Sequence, residues 1–351
     1  MRDAPAIDTY FADPFVLQLP DASFIAYGSA DPAAQGIAQL IVEAYTSADL
    51  LEWKSVGPVL ERGDPALGDA YWAPEVIQDG GAYWMYYSVG HGIRGHHLRV
   101  ARSESPLGPF HDLGLNLTPN ESFAIDPHPF RAEDGTLYLY FARDVLESER
   151  PGTHLAVMPM RSPTGPSETP SAVLAPNADW QIYERQRPMY SGVYDWHTLE
   201  GPSVVYRRGK YWMTYSGGAW TGPDYAVSWA SAGSPLGPWT PAPLADGRLL
   251  QSTTGGLIGP GHNSLTRDLA GRDIIAFHSW DEGGAMRRMH LNFISFGPDG
   301  PRVGGPIRDP SPRQEPSSSN CFPGVSTVDR CAFLSISVNE GSRYRGGSGR
   351  A

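Results

Sequence analysis

The sequence predicts an all-β protein, a five-bladed β-propeller, and three observations lead to that fold class. Glycine and proline, with 40 and 33 residues, make up about a fifth of the 351 residues, against roughly 12% in average proteins. Such a composition favours short strands joined by tight turns over long helices. The aromatic content of 11% argues against disorder and suits β-strands. The third observation is an internal repeat that occurs five times.

Each repeat consists of a polar or proline-containing turn, an apolar strand, a small turn and an aromatic-rich strand. The five copies begin at Ala12, Trp72, Ile125, Leu199 and Gly261. A spacing of roughly 50 to 75 residues fits one four-stranded propeller blade per repeat. Within the second copy, Tyr83, Met85 and Tyr87 alternate with Trp84 and Tyr86, as expected for a strand with two packed faces. An ordinary β-sandwich is the alternative, and five units of similar size disfavour it.

The repeat pattern ends near residue 310, which divides the chain into two parts. Residues 1–310 are predicted to form the propeller. Residues 311–351, rich in Pro, Ser, Gly and Arg, have the composition of a loosely attached or disordered tail. The strand that closes the ring is expected to come either from residues 290–296 or from the N-terminus.

Charge, targeting signals and cysteines exclude several classes of protein. The formal net charge is −11, which disfavours nucleic-acid binding, since that affinity comes largely from Lys and Arg. No apolar run is long enough to span a membrane. The first residues lack a signal peptide, so a cytoplasmic protein is expected, with secretion as the alternative if a leader has been removed. Cys321 and Cys331 form neither a disulfide framework nor a zinc motif. The oligomeric state is left open.

Ionisable residues recur near the start of each repeat. Aligning the five copies places these residues at one repeat position: Asp13, Glu75 (or the adjacent Pro74), Asp126, Glu200 and His262. Equivalent positions of the innermost strands converge at the propeller axis, where several carboxylates would repel one another. The alternative is that each acid only caps a turn, since Asp-Pro commonly begins one. Three acids in register favour a functional site.

Five short motifs, taken together, resemble glycoside hydrolase family 43. They are Ala12-Asp13-Pro14, Tyr71-Trp72-Ala73-Pro74-Glu75, Ile125-Asp126-Pro127, Leu199-Glu200-Gly201-Pro202 and Gly259-Pro260-Gly261-His262-Asn263-Ser264. The resemblance covers about residues 8 to 308. It implies a five-bladed propeller and an inverting glycosidase, mostly for arabinofuranosyl or xylosyl linkages.

The resemblance also implies roles for individual residues. Asp13 corresponds to the general base, Asp126 to the residue that tunes the pKa of the acid and orients it, and Glu200 to the general acid. His262 corresponds to a central histidine that is linked to a calcium ion in many members, often through water. No organic cofactor is expected. The chemistry agrees, because inversion needs one protonated carboxyl group and one ionised carboxylate. Repulsion by Asp126 would keep the proton on Glu200.

Four residues are predicted to bind substrate: Trp72, Glu75, Trp220 and Arg287. For Trp72 the alternative is core packing. The resemblance implies an arginine before the last strand that reaches an active-site carboxylate or the sugar; the spacing to Phe296 favours Arg287 over Arg288, and a solvated surface pair is the alternative. His278 is expected to pack within its strand. Residues 184–195 form a polar, aromatic insertion before the strand of Glu200, either a substrate loop or a surface excursion.

The sequence therefore predicts an exo-acting α-L-arabinofuranosidase that acts on plant cell-wall polysaccharide or its oligosaccharides. A β-D-xylosidase or an endo-arabinanase of the same family is the alternative. The first motif and the residue after Glu200 differ from the fructan and sucrose hydrolases of families 32 and 68, which are rejected. A more distant alternative is a non-catalytic sugar-binding propeller, which would need only the aromatic residues.

Overall fold

The computed structural model describes residues 4–29, 39–243, 247–254 and 256–307. Apart from two single turns of 3₁₀-helix, Pro65–Leu67 and Asp179–Gln181, its regular structure is β-strand. No helix in these residues is long and apolar enough to cross a membrane. The predicted all-β class is confirmed. The predicted tail, residues 311–351, lies outside the described residues.

The first two blades are four-stranded antiparallel sheets in which neighbouring strands follow one another along the chain. Blade one comprises β1 (Phe15–Gln18), β2 (Phe24–Tyr27), β3 (Leu40–Ser47) and β4 (Lys54–Glu61). Blade two comprises β5 (Ala70–Asp79), β6 (Ala82–His91), β7 (Arg94–Ser103) and β8 (His111–Asn116).

Blades three and four are joined into one larger sheet. Blade three comprises β9 (Ala124–Arg131), β10 (Leu137–Val145), β11 (Gly152–Ser162), β12 (Gly165–Pro166) and β13 (Ser171–Leu174). Blade four comprises β14 (Ile182–Met189), β15 (Gly192–Arg207), β16 (Lys210–Gly217), β17 (Ala226–Ala232) and β18 (Thr240–Pro241). The first part of β15 pairs with β14 as a hairpin and with β11 in parallel, which connects the two blades.

Blade five again has four antiparallel strands. They are β19 (Gly261–Arg267), β20 (Asp273–Trp280), β21 (Arg287–Gly297) and β22 (Gly300–Pro306). The N-terminal segment completes this blade, because Ala6 N–H donates to Met289 O (2.7 Å) and Phe11 N–H donates to Arg287 O (2.8 Å). Of the two predicted ways to close the ring, the structure uses the N-terminus.

Five separate hydrophobic clusters hold the ring together, one between each pair of neighbouring blades. Strand β6 shows how one strand serves two of them. Met85 and Tyr87 pack toward blade one, whereas Tyr86 packs toward blade three. The period-two alternation seen in the sequence therefore marks the two faces of a blade. The fifth cluster, between blades five and one, includes Ile7 and Phe11 of the closing segment.

Candidate active site

A bulge interrupts the innermost strand of four blades near the propeller axis. In β5, β9, β15 and β19, two consecutive residues oppose a single residue of the neighbouring strand. The first residue of each bulge has a left-handed backbone, as does the residue that precedes Pro14 in blade one: Asp13 (φ 53°), Ala73 (φ 48°), Asp126 (φ 59°), Gly201 (φ 55°) and His262 (φ 45°). Bulges of this kind re-aim side chains beside active sites.

This backbone feature corrects the sequence alignment of the repeats. The structurally equivalent position holds Ala73 in blade two and Gly201 in blade four, where the alignment had Glu75 and Glu200. Glu200 lies one residue before the bulge and Glu75 two residues after its start. The conformation, and not the charge of the side chain, defines the repeat position. A left-handed residue other than glycine costs on the order of 1–3 kcal/mol, and four of the five repeat positions carry such a residue.

Asp13 is buried and surrounded by hydrogen-bond donors. Ser29 Oγ donates to its Oδ2 (2.5 Å) and Arg287 Nη1 donates to its Oδ1 (3.2 Å). Its own backbone N–H donates to Nδ1 of His278 (3.1 Å). Burial alone would raise the pKa of Asp13, but the positive charge of Arg287, together with the imidazole of His262, holds that pKa well below its usual value. Asp13 therefore stays ionised at neutral pH.

Asp126 and Glu200 have the opposite property. Burial, followed by the negative charge of Asp13, raises the pKa of Glu200 to about 7. Burial and then the charges of Glu200 and Asp13 raise the pKa of Asp126 well above its usual value. Asp126 Oδ2 also accepts the Gly201 N–H (2.9 Å), which links it to the residue after Glu200. Two buried carboxyl groups of this kind retain a proton at a pH where free carboxyl groups have lost theirs.

This pattern differs from the expected cause of the raised Glu200 pKa. The sequence predicts that the charge of Asp126 raises the pKa of Glu200, whereas burial is the largest contribution in the structure and the pKa of Asp126 is itself raised. The physical reason is that both carboxyl groups leave water together. Their protons therefore belong to the pair rather than to one member.

Tyr225 is a site residue that sequence reasoning missed. Its hydroxyl donates to Oε1 of Glu200 (2.5 Å), and its ring is fully buried and stacks on His278 with ring centroids 5.8 Å apart. Gly261 makes room for this ring, because a Cβ there would lie 1.9 Å from it. Since Oε1 already accepts a hydrogen bond from Tyr225, the acidic proton of Glu200 is directed to Oε2.

His278 and Ser29 were also missed as site residues. His278 packs in β20 as expected, but it is fully buried against Asp13. Burial lowers its pKa to about 4, so the ring is neutral and its Nδ1 accepts the Asp13 N–H. Ser29 accepts the Ala73 N–H (2.8 Å) while donating to Asp13. Neither residue belongs to a local motif that could have indicated this role.

Arg287 and Trp220 lie together beside Asp13. Arg287 Nη2 donates to the Tyr10 hydroxyl (2.9 Å), and its guanidinium lies 4.7 Å from the centroid of the Trp220 ring. Arg288 instead pairs with Asp8 (2.7 Å). The structure therefore brings Arg287, the arginine preferred by sequence spacing, to the carboxylate of Asp13 and turns Arg288 outward.

A cleft next to Glu200 has aromatic walls. Trp72 of strand β5 and Trp220, which follows strand β16, both line it. The β14–β15 hairpin adds Tyr183, Arg187 and Trp196. One face of Trp72 is covered by His96, whose ring centroid is 3.8 Å away. The insertion before the strand of Glu200, whose role the sequence left open, is therefore part of the cleft wall.

Glu75 is placed differently from the prediction that it binds substrate. It is buried, and its Oε2 accepts a hydrogen bond from His128 Nδ1 (2.7 Å). The other nitrogen of His128 accepts the Val204 N–H (2.9 Å). Glu75 therefore ties the inner strands of blades two, three and four together. A carboxylate two residues past the bulge is turned into this network instead of toward the cleft.

The surroundings of His262 do not form a direct metal cage. Its Nδ1 lies 3.4 Å from Asp13 Oδ1 and 3.8 Å from Asp126 Oδ2. No group of three or more His, Cys, Asp or Glu side chains among the described residues is arranged to hold a metal ion. Calcium prefers six to eight oxygen ligands, so these side chains alone do not fit it.

One carboxyl group held ionised and a second that keeps its proton are what hydrolysis of a glycosidic bond requires. Comparison with known proteins leads to the same class. The chain belongs to glycosyl hydrolases family 43, whose sequence profile matches residues 3–301. The family and the five-bladed propeller predicted from the sequence are thereby confirmed.

Individual relatives are distant. The chain is 27% identical over 263 residues to an extracellular exo-α-(1→5)-L-arabinofuranosidase from Streptomyces avermitilis, a match covering 69% of this chain and 51% of that enzyme. It is 27% identical over 278 residues to a β-D-galactofuranosidase, xynD, from Aspergillus niger, covering 74% and 71%. The chain thus spans about half the length of the Streptomyces relative.

Solved structures show the same fold. A thermostable family-43 glycoside hydrolase superposes with a TM-score of 0.74 at 27% identity, covering 89% of this chain and 98% of the other. An α-L-arabinofuranosidase from Lactobacillus brevis gives a TM-score of 0.70 at 22% identity, covering 87% and 97%. The second likeness concerns the fold alone.

Proposed function

We propose that the protein is an inverting, exo-acting α-L-arabinofuranosidase that releases arabinofuranosyl units from plant cell-wall polysaccharide or its oligosaccharides. The observation that carries the proposal is the opposite protonation of two carboxyl groups at the propeller axis. Asp13 is ionised beside Arg287, and Glu200 keeps its proton up to a pH of about 7. β-D-Xylosidase and endo-arabinanase activities are the alternatives within the family.

The proposed mechanism assigns one task to each carboxyl group. Asp13 removes a proton from the water that attacks the anomeric carbon. Glu200 donates its proton, from Oε2, to the oxygen of the departing sugar. Asp126 is buried beside Glu200 and accepts the N–H of the next residue, Gly201, and so orients the acid and shares its proton. No covalent intermediate forms, and the configuration at the anomeric carbon inverts.

The names of the relatives support a furanosyl substrate. The similar enzymes include arabinofuranosidases and a galactofuranosidase, both of which act on five-membered sugar rings. Others are named xylosidase/arabinosidase and arabinan endo-1,5-α-L-arabinosidase, which keeps the alternatives open. Two Streptomyces relatives are named extracellular, which favours the secreted alternative over the cytoplasmic one.

The substrate assignment predicts a simple difference between two chromogenic substrates. The protein is expected to release 4-nitrophenol from the aryl α-L-arabinofuranoside at least about tenfold faster than from the aryl β-D-xyloside, a difference of about 1.4 kcal/mol in activation free energy. Proton NMR of the first sugar product should show the inverted anomer. Faster cleavage of the xyloside would favour the β-xylosidase alternative. Retention of configuration would make Asp13 a nucleophile and overturn its role as base.

Tyr225→Phe is expected to move the alkaline limb of the pH profile upward. The phenol hydrogen bond lowers the pKa of Glu200 against the effect of burial, so its removal raises that pKa. A hydrogen bond to a charged group contributes about 1.5–3 kcal/mol, equivalent to about one to two pH units. Measuring kcat/KM between pH 5 and 9 tests this shift.

The matched control for that variant is Tyr140→Phe. Tyr140 is equally buried and loses a comparable hydrogen bond, to Pro235 O (2.6 Å), but it does not contact the carboxyl groups described above. Its pH profile should coincide with that of the unchanged protein. An alkaline limb that stays in place in Tyr225→Phe would remove Tyr225 from the control of Glu200.

The calcium ion predicted at His262 remains a prediction. Any such ion would have to be held largely through water, because the groups next to His262 are the carboxyl groups of Asp13 and Asp126. These already accept hydrogen bonds from other residues. No step of the proposed mechanism uses it.

A further inference from the structure

The acid and one wall of the cleft belong to a single strand. Strand β15 begins in the hairpin with β14 and continues without a break to Glu200. Trp196, Thr198 and Glu200, two residues apart, all line the cleft, as the alternation of side chains along a strand requires. The hairpin is therefore an extension of the surface that carries the acid.

Arg187 lies on the inner side of this hairpin. Its guanidinium is 4.7 Å from the ring centroid of Tyr183 and 5.6 Å from that of Trp196. The side chain is 14% exposed, and its Nε lies 3.4 Å from Glu184 Oε2. Among the described residues, this ion pair is the one polar contact that the guanidinium of Arg187 makes. Its two terminal amino groups thus remain as donors at the cleft, where Arg187 is a lining residue.

Blade three holds the hairpin in place at two points. At the tip, the Tyr190 hydroxyl donates to Oδ2 of Asp144 (2.7 Å), whose Oδ1 accepts a hydrogen bond from Thr153 (2.9 Å). At the base, β11 and β15 pair in parallel at Gly152 and His197. Arg187 is therefore carried by a wall anchored at both ends, which is the condition for a precise binding group.

The chemistry of the acid determines which part of the substrate meets this wall. A general acid must lie within hydrogen-bond reach of the leaving-group oxygen. The departing sugar therefore lies on the Glu200 side of the cleft, next to the hairpin. We propose that Arg187, framed by Tyr183 and Trp196, binds the hydroxyl groups of the leaving-group sugar and determines which leaving-group sugar the enzyme accepts. This inference rests on the proposed glycosidase function and names the leaving-group subsite of the same cleft.

Arg187→Ala should separate substrates by their leaving groups. We expect kcat/KM for α-1,5-linked arabinotriose to fall by about 10- to 100-fold, since the hydrogen bonds from a charged donor to the sugar are lost. The aryl arabinofuranoside should change by less than about threefold, because nitrophenol lacks the hydroxyl groups of a sugar. The pH profile should be unchanged. Calorimetry should show weaker binding of arabinotriose to Asp13→Asn when Arg187→Ala is added.

Arg185→Ala is the matched control on the same strand. Arg185 is 63% exposed and pairs with Asp195 (3.2 Å) on the solvent side of the hairpin, so its removal should change neither substrate. Equal losses on both substrates in Arg187→Ala, or an equal effect in Arg185→Ala, would overturn the inference. If the wild-type protein cleaves neither substrate, the proposed function itself is refuted. This outcome differs from those that overturn only the role of Arg187.

Discussion

Asp13→Asn is expected to lose about 10²–10⁴-fold in kcat/KM on every substrate, the range for removal of a general base. Each substrate requires an activated water, so the loss should be the same for an aryl arabinofuranoside and for arabinotriose. Asparagine is the appropriate replacement because it tolerates the left-handed conformation (φ 53°) at this position. Steady-state kinetics with both substrates measures the effect.

A neighbouring ion pair provides the control for this variant. Asp8 pairs with Arg288 (2.7 Å) much as Asp13 pairs with Arg287, but the Asp8 side chain is 77% exposed. Asp8→Asn should therefore retain activity. Asp13→Asn leaves the buried Arg287 without its charge partner, which is destabilising, so circular dichroism must show that the variant is folded at the assay temperature. A folded Asp13→Asn variant with undiminished activity on either substrate would exclude Asp13 as the base.

The fold was predictable because its evidence is local and repeated. Each blade carries its own turn and strand pattern, and five copies of it appear in the sequence. Alternating residues such as Met85 and Tyr86 indicate the two faces that pack against different neighbours. Ring closure was not decided by the sequence, because the pairing of residues 6–11 with β21 joins opposite ends of the chain and leaves no local pattern.

The site was predictable only in part, for a physical reason. Asp13, Asp126 and His262 are recognisable because each lies at the left-handed position of a repeat. Glu75 and Glu200 were aligned by charge, and the bulge shows that neither occupies that position. Tyr225, Ser29 and His278 act across 25, 16 and 265 residues of sequence from their carboxyl partners. The contact of His278 joins blades five and one, and those of Tyr225 and Ser29 join separate strands of one blade, so none of them leaves a local sequence pattern.

The hairpin illustrates the same limit. Polar and aromatic residues at 184–195 fit both a substrate loop and a surface excursion, because composition does not specify which side of a strand faces a cleft. The structure settles the orientation through the irregular pairing of β14 with β15 and the left-handed Gln186 (φ 52°). These features turn Arg187 inward while Arg185 stays in solvent.

Glu200→Gln should discriminate strongly between leaving groups. A sugar alkoxide needs protonation to depart, whereas nitrophenolate needs little, so kcat/KM should fall about 10²–10⁴-fold on arabinotriose and by about tenfold or less on the aryl arabinofuranoside. Glutamine keeps the oxygen that accepts the Tyr225 hydrogen bond but has no acidic proton. The ratio of the two losses is the decisive quantity.

The pH profile provides an independent readout of the same role. The acid must be protonated, and its pKa is raised to about 7, so kcat/KM of the unchanged enzyme should fall as the pH rises through about 7. The acidic limb should lie at low pH, since the pKa of Asp13 is held well below its usual value. In Glu200→Gln the alkaline limb near pH 7 should disappear for the aryl substrate, because the group that loses its proton there has been removed.

Glu75→Gln separates this effect from the loss of any buried carboxyl group. Glu75 is as buried as Glu200, and burial raises its pKa too, but it is bonded to His128. Its replacement should leave both the alkaline limb and the ratio of the two substrate losses unchanged. Equal losses on both substrates in Glu200→Gln, with the alkaline limb still present, would show that another group supplies the proton. In that case the proton shared with Asp126 would make Asp126 the next residue to test, because its pKa is also raised by burial and by the neighbouring carboxylates.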